Sequence, residues 1–325
     1  MPVFNFFHYS KAHGKTLNKT GPVVSVEVGI PAALKQFLGE KGLPIPPAVP
    51  GLALVDTGAF ATAIDESIFS QLGCTMQTDM TLSRPDGTPI TGWEEWTRPK
   101  RDYQWAPGRS AMELAKAWFP GDRLHPPPEL MGLLLSHPRL QGLKLIRGIP
   151  EHVTRLPERG EGRNHDLWLL GRTQNESVTI CLEAKADEPF GNDTVAEYRK
   201  AALHRIEQGE STRVPERIDA LLGIIGKPPS NWESVRYQLL TAICGTVLQA
   251  KQDLSSLAVF VVHEFQTEKT TADNLRRNSE HYERFLTVIG VASPSNTDGH
   301  LHGPLAIHGM ECFVGKTVRS MKAKK

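Results

Sequence analysis

The stretch Ser177-Val-Thr-Ile-Cys-Leu-Glu-Ala-Lys-Ala carries an acid and a base inside an otherwise apolar strand-like run. The two-residue period of a strand puts Ile180, Leu182 and Ala184 on one face and Cys181, Glu183 and Lys185 on the other, so Glu183 and Lys185 point the same way. Burying both at the end of a core strand is costly unless they pair with each other or hold a cation. A second extended run, Asp166-Leu-Trp-Leu-Leu-Gly, is entered from Arg163-Asn-His, and Arg172 to Glu176 is short enough to join the two as a hairpin. Asp166 and Glu183 then come from neighbouring strands.

A different acid stands near the start of the chain. Pro22 to Gly29 alternates with β-branched residues, and Gly51-Leu-Ala-Leu-Val ends at Asp56-Thr57-Gly58-Ala59, so both segments read as strands. The second strand, its Asp-Thr-Gly-Ala loop, and Thr62, Ile64 and Asp65 beyond it resemble the active-site loop of retropepsin-like aspartic proteases. That resemblance implies that Asp56 meets its twin from a second copy, where two close carboxylates share one proton and activate water. The protease reading therefore requires a homodimer. About 35 residues follow Asp56 before the chemistry changes character, and no second glycine loop is found among them, so the likeness is to a partial domain over residues 1–92. Gly87, in Pro-Asp-Gly-Thr, reads as a hairpin tip in the place of a flap.

An aspartate, a strand turn and Glu-x-Lys on the next strand form the pattern of the PD-(D/E)XK nuclease superfamily. Gly-Arg-Ser-Ala (108–111), Pro150-Glu-His, Glu183-Ala-Lys-Ala-Asp-Glu-Pro-Phe-Gly, Arg236-Tyr-Gln-Leu-Leu and Val262-His-Glu-Phe extend the likeness over residues 93–325, to an uncharacterised bacterial family within that superfamily. The resemblance implies a three-layer α/β restriction-endonuclease-like core around a central mixed sheet. It also implies hydrolysis of phosphodiester bonds, with DNA as the partner, by a bound Mg²⁺ or Mn²⁺ held by Asp166, Glu183 and the backbone carbonyl of Ala184. Lys185 would orient or deprotonate the attacking water. Glu188, just past the strand, and Gln238, opening a helix, stand where such nucleases often add a metal or phosphate contact. In exonuclease-like relatives a tyrosine follows that glutamine by four residues; here Ala242 stands there.

The elements that must carry these residues are legible by period. Ala111, Leu114, Ala115 and Trp118 follow helical spacing with Ser110 at the N-cap, and Pro126 to Ser136 gives a second helix. Gly142 to Gly148 and Glu151 to Leu156 read as extended. Asp193–His204, Glu216–Ile225 and Val235–Lys251 read as helices, and Leu257 to Phe265 as a fully buried strand. Ser83 to Asp102, dense in proline, glycine and charge, reads as a linker.

Other polar residues have structural readings. Glu151 and Glu113 read as strand-end and helix-surface charges, and His152, His165 and His263 as hydrogen-bonded structural histidines. His300, His302 and His308 lie in what reads as a loop between late strands and lack the spacing of a metal site. Arg155, Arg163, Arg199, Arg217 and Arg236 could line a nucleic-acid groove, though most such arginines are interleaved with acids.

Composition bounds these readings. With 325 residues, 39% hydrophobic and 22% charged, the chain has enough apolar mass for one large or two ordinary domains. A net charge of +1 supplies no bulk attraction to polyanions, so any nucleic-acid site must be local. Cys74, Cys181, Cys244 and Cys312 show no paired spacing, which points to reduced thiols and a cytoplasmic setting. No apolar run approaches the roughly 20 residues of a membrane helix. Three classes stay in competition: a metal-dependent nuclease, an aspartic peptidase acting through Asp56, and a catalytically inactive nuclease-fold binding module.

Overall fold

The computed structural model describes residues 23–29, 32–40, 42, 44–54, 80–99, 102–226, 229–291 and 298–321. Asp56, with the rest of the Asp-Thr-Gly-Ala loop, lies outside the described residues. The chain divides into two compact units, residues 1–77 and 78–325.

In the first unit, β1 (Val23–Val28) pairs antiparallel with β2 (Val49–Leu54), and helix α1 (Ala32–Glu40) lies between them in sequence. Both strands fall where β-branched alternation predicts them.

The second unit is a mixed α/β fold. Its sheet contains, in chain order, β3 (Thr81–Leu82), β4 (Lys144–Thr154), β5 (Arg163–Arg172), β6 (Ser177–Lys185), β7 (Leu257–Gln266), β8 (Leu301–Ile307) and β9 (Met310–Ser320). Among the described residues these seven lie side by side in the order β3-β4-β5-β6-β7-β9-β8. The β4–β5–β6 meander is antiparallel, and β6–β7 and β7–β9 are parallel. Helices cover both faces. On one, α2 (Ser110–Trp118) and α3 (Pro128–Leu135) bury Leu114, Trp118, Leu130 and Leu134 against Leu167, Leu169, Ile180, Leu182 and Val259. On the other, α4 (Val195–Glu207), α5 (Val214–Ile225), α6 (Tyr237–Gln252) and α7 (Ala272–Ile289) pack on Ala258, Phe260, Val262 and Val314. Covered on both sides, β6 is buried from Val178 to Lys185, which explains why its sequence runs apolar.

Three sequence expectations are corrected. The stretch expected as a linker over residues 83–102 is, in its described part 83–99, packed onto the core: Ile90 and Trp96 are buried beside Leu82, Ile90 N–H bonds Leu82 O, and the Ser83–Pro89 bridge closes a tight turn at Gly87. Thr81–Leu82 is an edge strand on β4, so the large unit starts ahead of the expected boundary at residue 93. The histidine-rich segment 298–309 is not a loop throughout, since Leu301–Ile307 is β8 and only His308–Gly309 turns into β9. Extended segments 142–148 and 151–156 are one strand, β4. No described helix is long and apolar enough to cross a membrane.

Candidate active site

The site forms where β4 and β5 turn over. On β5, Leu167 and Leu169 face the α2–α3 core, and strict alternation would send Arg163 and His165 the same way. Instead a methyl group built on Gly245 of α6 would meet Arg163 Cγ at 2.8 Å and His165 Cε1 at 3.1 Å, so both face the opposite layer. Its neighbour does the same. Gly148 of β4 lies against Leu82 and Leu169, whereas His152 Nε2 and Thr154 Oγ1 both reach Gln249 of α6, at 2.9 and 2.7 Å. The residue at the switch is Glu151, whose φ of 54° is a left-handed conformation uncommon for a residue with a side chain.

Past this switch β5 leaves β6. The ladder ends at Leu167–Leu182, and Asp166 Oδ2 takes over as acceptor for the Ala184 N–H at 2.6 Å. Glu183, 1% exposed, has both oxygens occupied: Lys185 Nζ donates to Oε1 at 2.6 Å, Gln238 Nε2 donates to the same atom at 2.7 Å, and the Arg163 guanidinium donates to Oε2. Glu151 accepts from Asn164 Nδ2. Glu188 accepts from the Ser110 hydroxyl and, through Oε2, from the Asp187 N–H at 2.9 Å, while Arg109 pairs with Asp187 at 3.0 Å. These bonds pin the segment after β6 to the start of α2. Ser110 is the first residue of α2, not its N-cap, and its side chain serves Glu188 instead.

Charge dominates the cluster. Four carboxylates, Glu151, Asp166, Glu183 and Glu188, face Arg163 and Lys185. Burial, then the neighbouring charge of Asp166, pushes the Glu151 carboxyl up to about 7. Burial also raises Asp166, against the pull of Lys185 and Arg163. Burial lowers Lys185 from the usual amine range, partly offset by Asp166 and Glu188. For Glu188 burial acts upward, but the Lys185 charge and the Ser110 bond outweigh it and hold the acid below its ordinary value.

A cavity of about 430 Å³ opens onto this cluster, with Glu151, Arg163, Asn164, Asp166 and Gln238 in its wall. The acids fit a hard divalent cation in kind and in charge: all are oxygen donors, and with every group ionised they carry two more negative charges than Arg163 and Lys185 offset. Glu183 would have to exchange one of its present donors to take part. No group of three or more His, Cys, Asp or Glu side chains poised to hold a metal is found among the described residues.

The structure thus brings Asp166, Glu183, Lys185, Gln238 and Glu188 together, as the sequence pattern anticipates. It adds Glu151 and Arg163, which sequence reasoning set aside as a strand-end charge and a groove cation. Arg163 had one usable signal: a cation three residues before Asp166 on a strand with an apolar continuation. Two of the histidines read as structural keep structural partners, His165 with Thr154 at 3.1 Å and His263 with Glu129 at 3.0 Å. Glu113 is not a helix-surface charge as expected: it is buried and accepts from the Gly108 N–H at 2.8 Å, just ahead of α2. Arg199 and Arg213 pair with acids, Asp219 in one case and Glu158 and Glu216 in the other.

Fold and site define a mixed α/β domain with a buried acid–base cluster at the open end of a strand hairpin. The chain belongs to the DUF6946 family, a domain of unknown function that matches residues 89–321. No curated protein and no solved structure matches the chain.

Proposed function

We propose that residues 78–325 form a divalent-metal-dependent nuclease of the PD-(D/E)XK type that hydrolyses nucleic-acid phosphodiester bonds, with DNA as the first candidate. The observation that carries this reading is the linked set Asp166, Glu183, Lys185 and Gln238 beside a cavity, in a cluster whose carboxylates outnumber its cations. Asp166 and Glu183, with the Ala184 carbonyl, would hold Mg²⁺ or Mn²⁺, and Glu188 a weaker contact. When bound, the ion polarises the scissile phosphate and lowers the pKa of a water.

The chain's own residues do the rest. Lys185, held by its bond to Glu183 Oε1, would orient or deprotonate the attacking water and, as an ammonium, stabilise the negative charge that develops on the phosphorane oxygens. Gln238 fixes the Glu183 carboxylate by donating to Oε1. Arg163 holds the other Glu183 oxygen and so fixes the orientation of that carboxylate.

The test is a cleavage panel of plasmid, single-stranded DNA and RNA with Mg²⁺, Mn²⁺ or a chelator. Metal-dependent cutting of at least one substrate is expected. A folded protein that cuts nothing under any of these conditions overturns the reading.

A further inference from the structure

The cavity reaches well beyond the acids, and its far wall has a different chemistry. Tyr198 of α4 and Tyr237 of α6 line it with ring centroids 4.4 Å apart, and Leu156 adds an apolar surface. Arg217 of α5 reaches in beside them, anchored by Nε to Pro157 O at 3.2 Å and by Nη1 to Glu161 O at 2.8 Å. Its Nη2 is buried with no hydrogen-bond partner meeting normal geometry among the described residues, although the guanidinium also interacts with the Tyr237 phenol. Three more buried polar atoms in the same wall also have no partner among the described residues: Arg163 Nε, Asn164 Oδ1 and Gln238 Oε1. Buried polar atoms are nearly always satisfied, so four orphans around one cavity point to a ligand that supplies their partners.

The orphans specify that ligand. Two are guanidinium N–H donors that call for an anion, and two are amide oxygens that call for N–H or O–H donors. The amide orientations are set, because Asn164 Nδ2 and Gln238 Nε2 already donate to Glu151 and Glu183. A flat partner for the tyrosine rings completes the list. A phosphate joined to a heteroaromatic base that carries N–H groups meets all three demands, and about 430 Å³ suits a ligand of small-molecule size. A base can reach those rings only when it is out of its duplex stack.

Resting on the nuclease reading above, we propose that the substrate is a single strand, one unpaired base lying on Tyr198 and Tyr237 while its phosphate is held by Arg217 and Arg163. The aromatic wall sets strand state, and the acids that open onto the same cavity hold the cutting machinery.

The experiment measures binding apart from cleavage. Full-length protein in chelator is titrated into a fluorescein-labelled oligonucleotide as single-stranded DNA, as single-stranded RNA of the same sequence, and as blunt DNA duplex, with anisotropy as the readout. Either single strand should bind at least about tenfold tighter than the duplex, and Tyr198→Ala should weaken strand binding about tenfold while Tyr198→Phe retains it. The comparison of the two strands then identifies the sugar. Arg217→Gln should flatten the salt dependence by about one phosphate contact.

Equal or tighter duplex binding, an unchanged Tyr198→Ala affinity in a folded variant, or no binding to any probe overturns the proposal. Strand binding without metal-dependent cutting keeps the pocket and removes the nuclease reading. Metal-dependent cutting with a duplex preference does the reverse.

Discussion

Glu151 shows how little of a buried site is visible residue by residue. Its side chain is an ordinary glutamate in the sequence, yet in the fold it shares a desolvated corner with Asp166, and its carboxyl titrates near 7 in place of 4.5. The folded chain holds that proton where the unfolded chain has released it, so stability falls as pH rises from about 4.5 to about 7. At 1.36 kcal/mol per pH unit this amounts to an upper bound of about 3 kcal/mol. Glu151→Gln removes the penalty. The variant should melt higher than the parent at about pH 8, with the gap closing at about pH 5, in thermal unfolding with a chelator present; an equal gap at both pH values contradicts the assignment. Excess Mn²⁺ should raise the parent's melting temperature more at about pH 8 than at about pH 5, because cation and proton compete for the same carboxylates. The Asp166, Glu183 and Lys185 set was legible because strand alternation and hairpin spacing are local. Arg163 on Glu183 and Glu151 beside Asp166 were not, since both depend on two strands turning over together.

That turnover is a property of elements. Strict alternation on β5 predicts Arg163 and His165 beside Leu167, and the strand disobeys because α6 presents Gly245 at the point where their side chains need room. Gly245→Val would drive a branched side chain into Arg163 and His165, which sit in a fully covered layer. Overpacking of this kind costs about 1–3 kcal/mol. Chemical denaturation should show that loss together with reduced metal-dependent cutting, because Arg163 is moved off Glu183; a stability loss with unchanged cutting contradicts the positioning role of Arg163. Most elements of the large unit were readable from period and caps, β6, β7 and α6 most plainly. Residues 83–102 were not: burial of Ile90 and Trp96 outweighs a proline- and glycine-rich composition, and no local pattern announces it. Helix α7 escaped for the opposite reason. Its apolar residues, Tyr282, Phe285, Leu286 and Ile289, are crowded into its second half, behind a charged first half.

At the scale of the molecule, the boundary between residues 77 and 78 makes two predictions about independence. A fragment of residues 78–325 should fold cooperatively and keep the cutting activity, and Asp56→Asn in the full chain should leave that activity unchanged; loss in either case ties the first unit to the site. With a net charge of +1, the nucleic-acid reading proposed above would rest on the cavity and its immediate surroundings, so it predicts that binding weakens with salt by only a few phosphate equivalents. The central claim is that Lys185 acts on a metal-dependent phosphodiester hydrolysis beside Asp166 and Glu183. It is tested most directly by the single-turnover rate of DNA cleavage in Mg²⁺ for the parent and for Lys185→Ala, with folding of both checked by circular dichroism. The account predicts a drop of about 10²–10⁴-fold for the folded variant. Undiminished cutting by folded Lys185→Ala, or cutting by the parent that persists in chelator, would contradict it.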